Sequence, residues 1–134
     1  MYILAVDDER NMLDELVTEL QKVFPQGQIH GEMEALTAAE WVKSLKEEGQ
    51  ALEYAFLDIR MGGMSGLELA GQIKTLHPDA KLIFCTAYKE YAFDAVRMFA
   101  KGYLLKPVSA EDIIRTLDEM VYDWRKKKNE VPQD

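Results

Sequence analysis

"YAFLDIRMGGMSG", residues 54–66, passes from an unbroken apolar segment into a glycine-rich loop, with one carboxylate, Asp58, at the seam. A strand that is apolar at successive positions, rather than at alternate ones, is buried on both faces of a sheet. Gly62, Gly63 and Gly66 then let the chain turn away from the strand's carboxyl end. A glycine-rich loop after a strand can cradle phosphate, but this one lacks the lysine and the spacing of a P-loop. What Asp58 does therefore depends on what else in the chain meets it.

Outward from this stretch the hydrophobic pattern switches repeatedly between strand-like and helix-like. "YILAV" (2–6) is a short apolar run ended by Asp7 and Asp8. Met12, Leu13, Leu16, Val17, Leu20, Val23 and Phe24 follow at helical spacing, closed by Pro25 and Gly27. "QIHGEM" (28–33) predicts a second strand, and residues 36–48 an amphipathic helix ending at Gly49. After the strand at 54–59, residues 65–76 predict a helix broken by His77-Pro78. "KLIFCT" (81–86) predicts a fourth strand, about 89–100 a helix, and "GYLL" (102–105) a fifth strand cut off by Lys106-Pro107. Ser109, with Asp112 three residues on, predicts the start of a last helix through Ile113, Leu117, Val121 and Trp124. Five such alternations imply an α/β fold, a doubly wound parallel sheet with helices on both faces. The predicted domain is residues 1–124, with 125–134 a charged tail or the start of a linker.

Composition narrows the function classes. The 134 residues are 48% hydrophobic and 30% charged, ordinary for one folded domain. No apolar run approaches the roughly 20 residues that span a bilayer, and Met1 leads directly into a strand with no signal-like segment. Cys85 is the only cysteine, so an internal disulfide is impossible; a cytoplasmic location is expected, with Cys85 a small core residue. The net charge of −8 argues against direct nucleic-acid binding, which needs a basic face. The "RKKK" at 125–128 reads as a solvated helix end.

In doubly wound sheets, function gathers outside the carboxyl ends of the strands. The predicted strands end there in Asp7 and Asp8, Asp58, Thr86, and Lys106. Each of these polar residues sits immediately beyond a buried run, which solubility alone does not explain. Gathered carboxylates repel: two unit charges about 4 Å apart interact by roughly 4 kcal/mol at an effective dielectric near 20. Lys106 and a divalent cation with oxygen ligands, Mg²⁺ by preference, are the two available counterweights. Carboxylate, Mg²⁺ and lysine together make the apparatus for moving a phosphoryl group onto or off an acid.

The ordered set "VDDE", "FLDIRMxGMSG", "TAY" and "YLLKP" resembles the receiver domain of bacterial two-component response regulators, from Tyr2 to about Asp123. The run at 86–108 further resembles receivers of the LytTR-type regulators. The resemblance implies a flavodoxin-like sheet with strand order 2-1-3-4-5. It implies a phosphorylation-activated switch, in which Asp58 accepts a phosphoryl group from a sensor histidine kinase, rather than an enzyme with a separate substrate. The domain would nevertheless catalyse its own phosphoryl transfer and autodephosphorylation. By the same resemblance, Asp8, Asp58 and the backbone carbonyl of Arg60 hold Mg²⁺, with Asp7 acting through water. Lys106 and Thr86 contact the phosphoryl group, Thr86 and Tyr103 switch, and the Lys106–Pro107 peptide is cis. Output would pass through the fourth helix, fifth strand and fifth helix, the surface through which a homodimer would form, to a downstream domain that controls transcription. One departure stands out: Gly62 occupies a position where the family carries proline, which leaves the rigidity of the loop open.

Other readings compete. Asp7 and Asp8 also suit a helix start, and Tyr103 also suits simple packing. His30 and His77 read as surface residues, and Met61 and Met64 as loop packing. An aspartyl-phosphate phosphatase would carry an acid two residues after its nucleophile, where this chain has Arg60. A receiver-like interaction module that never takes phosphate would be favoured by loss of an acid or of the lysine, and all are present.

Overall fold

A computed structural model describes residues 1–129, with side chains described up to Glu119. β1 (Tyr2–Val6), β2 (Gln28–Glu32), β3 (Leu52–Leu57), β4 (Lys81–Thr86) and β5 (Gly102–Leu105) alternate with five helices. The helices are α1 (Arg10–Val23), α2 (Ala35–Glu47), α3 (Gly66–Leu76), α4 (Ala92–Arg97) and α5 (Ala110–Asn129). All strand pairs are parallel, in the order β2-β1-β3-β4-β5. The doubly wound sheet expected from the periodicity is therefore present.

Successive strand residues point to opposite faces, so each central strand feeds two cores. On one face Leu4, Val6, Leu57, Leu82 and Phe84 pack with α2 and α3 through Val42, Leu45, Leu69 and Ile73. On the other, Ile3, Ala5, Phe56, Ile83 and Cys85 pack with Leu13, Leu16 and Leu20 of α1 and Ile113 of α5. Cys85 is buried, and burial pushes its thiol far above the ordinary range. It is a core residue, as its apolar neighbours indicate.

Three boundaries differ from the periodicity. β3 begins at Leu52 because the register slips between Tyr2 and Ile3, leaving Glu53 as an extra residue against β1. The segment expected as a helix over 89–100 is a 3-10 turn at Lys89–Tyr91 followed by the short α4. It ends where Phe99 adopts φ 57°, a left-handed conformation that an α-helix cannot continue through. α5 reaches Asn129, so the "RKKK" stretch is helical, whereas residues 130–134 of the expected tail lie outside the described residues.

His77 corrects a surface assignment. It is only 6% exposed, its Nδ1 accepts from Leu52 N–H at 3.4 Å, and its Nε2 lies 3.1 Å from the Val42 carbonyl. These partners place the ring hydrogen on Nε2. The imidazole ties α2, the start of β3 and the end of α3 together, three elements that a linear pattern does not show to be neighbours. His30, half-buried, stacks flat on Trp41 with ring centres 4.4 Å apart, and its Nε2 is 2.9 Å from Glu32 Oε1.

Candidate functional site

The register of the sheet assembles the site. Val6 of β1 lies beside Leu57 of β3, so Asp7 and Asp58 leave the sheet side by side. Thr86 of β4 lies beside Leu105 of β5, so Lys106 emerges next to them. Backbone bonds fix the exits: Asp58 N–H donates to the Val6 carbonyl at 3.0 Å, and Lys106 N–H to the Thr86 carbonyl at 2.9 Å. The Lys106–Pro107 peptide is cis.

Lys106 Nζ sits 2.6 Å from Asp7 Oδ2 and 2.8 Å from Asp58 Oδ2. The other oxygen of each acid meets backbone: Ile59 N–H donates to Asp58 Oδ1 at 2.8 Å, and Glu9 N–H to Asp7 Oδ1 at 2.9 Å. Asp7 and Asp58 are buried and Asp8 is exposed. Burial raises the Asp7 carboxyl above its ordinary range, against the opposing pull of Lys106. Burial by itself would lower the Lys106 ammonium, but hydrogen bonds from it to Asp58 and Asp7, and their charges, hold it above its usual range. One ammonium thus serves two buried carboxylates, with a third acid beside them.

Carboxylate oxygens of Asp7, Asp8 and Asp58 all lie within 4.8 Å of one another. An all-oxygen donor set, partly exposed to water and in excess of its one ammonium, is the kind that suits Mg²⁺ or Ca²⁺. Asp8 and Asp58 open onto a cleft of about 420 Å³ lined also by Glu9, Arg60, Met61, Gly62, Ala87, Tyr88 and Lys106.

The glycines of the loop divide into three roles. Gly63 has φ +80°, so it makes the turn. A Cβ on Gly66 would stand 1.9 Å from the Asp58 carbonyl oxygen, so only glycine lets α3 begin against the acid's backbone. Gly62 has open space around it and no left-handed φ, so neither constraint requires a glycine there. α3 starts immediately after, with Ser65 Oγ accepting from Glu68 N–H at 3.2 Å. Met61 and Met64 pack against the core, as expected for loop anchors.

Of the residues singled out in the sequence, Asp7, Asp8, Asp58, Arg60 and Lys106 meet at this one end of the sheet. Thr86 lies close by but is fully buried, its Oγ1 3.4 Å from Tyr88 N–H. Tyr103, half-buried, donates its hydroxyl hydrogen to the Tyr88 carbonyl, and burial raises its phenol above the ordinary range. Tyr88 and Arg60, which the sequence places where side chains could modulate access to a phosphorylated Asp58, both line the cleft; what the linear pattern does not show is that the Tyr88 ring lies under Arg60 and its carbonyl on Tyr103.

Residues 3–118 match the model of the response regulator receiver domain. The chain belongs to that family. Among similar sequences, the positive alginate biosynthesis regulatory protein of Pseudomonas aeruginosa is 39% identical over 122 residues, covering 87% of this chain and 46% of that protein. The sensory transduction protein LytT of Enterococcus faecalis is 34% identical, covering 89% of this chain and 47% of its own length. The receiver domain described here therefore spans about half the length of the curated relatives it matches. Among solved structures, the response regulator TrrA of Thermotoga maritima in complex with Mg²⁺ and BeF superposes with a TM-score of 0.72. It is 32% identical, with 89% of this chain and 97% of that one covered. The response regulatory domain of mrkE from Klebsiella pneumoniae gives 0.74 at 27% identity, covering 94% and 99%. The resemblance to LytTR-type receivers read from residues 86–108 accords with the LytT relatives. Among the described residues, no helix is long and apolar enough to cross a membrane.

Proposed function

We propose that this receiver domain is switched by phosphorylation of Asp58 in the cytoplasm. The observation that carries the reading is the buried Asp58 carboxylate, bridged to Asp7 by Lys106 and facing an open cleft beside Asp8. The donor is a phosphohistidine of a sensor histidine kinase. A carboxylate oxygen of Asp58 attacks phosphorus, the P–N bond breaks, and the imidazole leaves with the electron pair and takes up a proton. Mg²⁺, when bound, spreads charge on the phosphoryl oxygens. Asp8, Asp58 and the carbonyl of Arg60 are the residues to hold it, with Asp7 acting through water; the clustered carboxylates fit that role. Lys106 supplies the second positive charge, Thr86 donates its hydroxyl to a phosphoryl oxygen, and Tyr103 changes position with Thr86. The same groups catalyse self-phosphorylation and the later hydrolysis of the acyl phosphate.

The output reading follows from the relatives, which are about twice as long. In the whole protein the phosphorylated domain pairs with a second copy through α4, β5 and α5, and a further domain carries the effect to transcription. Exposed apolar side chains on those elements, Phe93, Val96, Leu105 and Ile114, support a protein contact there. With net charge −8, this domain itself has no evident attraction for nucleic acid.

The deciding experiment is mass measurement after incubation with MgCl₂ and acetyl phosphate. One phosphoryl group is expected on the unaltered chain and none on Asp58→Asn, nor on the unaltered chain after the metal is chelated. Equal modification of Asp58→Asn would show that another residue is the acceptor.

A further inference from the structure

In a chain of net charge −8, three lysines gather at the end of the sheet away from Asp58. Lys74 lies in the last turn of α3, Lys81 opens β4, and Lys101 directly precedes β5. Backbone contacts bring them together. The half-buried Lys74 Nζ donates to the Pro78 carbonyl at 3.4 Å and to the Ala80 carbonyl, next to Lys81, at 3.2 Å. Lys101 N–H donates to the Leu82 carbonyl at 2.7 Å. The three side chains differ in what faces them. Lys81 pairs with Glu53 at 3.2 Å and lies 5.2 Å from the centre of the Tyr54 ring. The exposed Lys101 has no carboxylate within ion-pair distance among the described residues, and neither has Lys74. Burial, joined by the charges of Lys101 and Lys81, lowers the Lys74 ammonium below its ordinary range, against the pull of Asp79.

A lysine is a nucleophile only as the free amine, and partial burial beside other cations raises that share. The free amine keeps two N–H groups, which the carbonyls of Pro78 and Ala80 can both accept, and its lone pair then faces away from them. Lys101, close by and without a carboxylate, is free to attract an anion. A nucleophilic amine next to a spare cation fits an acyl donor that carries negative charge and releases an anion. We propose that Lys74 is a modification site acylated directly by small acyl phosphates, with Lys101 holding the phosphate. The nitrogen lone pair forms an N–C bond to the acyl carbon, the C–O bond to phosphate breaks, and phosphate leaves with the electron pair. The surplus proton on nitrogen passes to water. Lys101 stabilises the charge that develops on the departing phosphate. The product is a neutral amide with a single N–H, so the cluster loses one positive charge and one of the two carbonyls loses its donor. An acyl phosphate offers two electrophilic atoms, carbon to Lys74 and phosphorus to Asp58, at opposite ends of the sheet. Acylation of Lys74 needs no metal and does not depend on the reading of Asp58.

The test is the initial rate of acetylation at each lysine, read by peptide mass mapping after incubation with acetyl phosphate and a metal chelator. In the unaltered chain Lys74 should react about fivefold faster, or more, than the exposed Lys43 and Lys89, because burial and neighbouring charge both act on it. Lys101→Met changes an exposed side chain and should lower the rate at Lys74 by roughly two- to fivefold, the effect of removing one charge from a partly exposed pair. Lys43 and Lys89 should be unaffected in that variant. With the N-hydroxysuccinimide ester of acetic acid, a donor without phosphate, Lys101→Met should lower the Lys74 rate by less than it does with acetyl phosphate. A rate at Lys74 no greater than at Lys43 and Lys89 would overturn the site. An unchanged rate in Lys101→Met, or equal losses with the two donors, would overturn the holding of phosphate by Lys101. Phosphorylation of Asp58, measured in parallel with Mg²⁺ present, adds a different mass to a different peptide, so its failure leaves the result at Lys74 standing.

Discussion

At the scale of single residues, the chemistry rests on one ammonium held between two buried carboxylates. The acids and the lysine were legible because each directly follows an apolar strand. That Lys106 offsets the acids was legible too; that it bridges Asp7 and Asp58, and not the exposed Asp8, follows only from the sheet register. The glycines show the same division. Composition marked a turn after Asp58, but only the tertiary structure separates a turn at Gly63 from a close approach at Gly66 and from an unconstrained Gly62. This yields opposite expectations for two identical substitutions. Gly62→Ala has room and no left-handed φ to oppose it, so it should raise stability by roughly 0.4–1 kcal/mol by restricting the unfolded chain. Gly66→Ala drives a Cβ into the Asp58 backbone and should cost more than about 3 kcal/mol or displace the acid. Urea denaturation of the two variants checks both, and equal effects would contradict the assigned roles.

At the scale of elements, α5 is tied down at its start by a reciprocal pair. Ser109 Oγ accepts from Asp112 N–H at 3.2 Å, and Asp112 Oδ2 accepts from Ser109 N–H at 3.2 Å. Glu19 of α1 adds Oε1 as an acceptor for Ala110 N–H at 3.1 Å, a long-range cap that no local motif announces. Hydrogen bonds from the Ser109 N–H and hydroxyl lower the Asp112 carboxyl below its ordinary range. A carboxyl lowered in the fold adds stability above its unfolded pKa, and loses it as pH falls through the folded one. Ser109→Ala should therefore cost about 1 kcal/mol at neutral pH. That deficit should shrink as the pH drops below the ordinary carboxylate range; denaturant titrations at neutral and acid pH would show it. A deficit unchanged in acid would mean that the serine acts without Asp112. α4 shows the opposite case: helical periodicity ran past its true end because the stop is a left-handed Phe99, a residue type that gives no breaking signal.

At the scale of the whole molecule, two cores sandwich the sheet, and the apolar surplus lies on the α4–β5–α5 side, where Phe93, Val96 and Phe99 are each at least 70% exposed. If that face pairs two copies, sedimentation of the beryllofluoride-activated domain should show a dimer, and Val96→Asp should leave it monomeric with Asp58 still modified. Dimerisation of Val96→Asp at the unaltered concentration would move the contact elsewhere. The sequence alone was sufficient for the class of fold, the helix starts at Ser65 and Ser109, and the identity of the acids and the lysine. Those depend on local spacing, on capping chemistry and on which residues border a buried run. Tertiary structure alone decided that Lys106 bridges Asp7 and Asp58, that His77 is buried against Leu52 and Val42, and that Arg60 rests on Tyr88. Each of these contacts joins segments far apart along the chain, and their meeting is set by strand order and register, which no local pattern encodes.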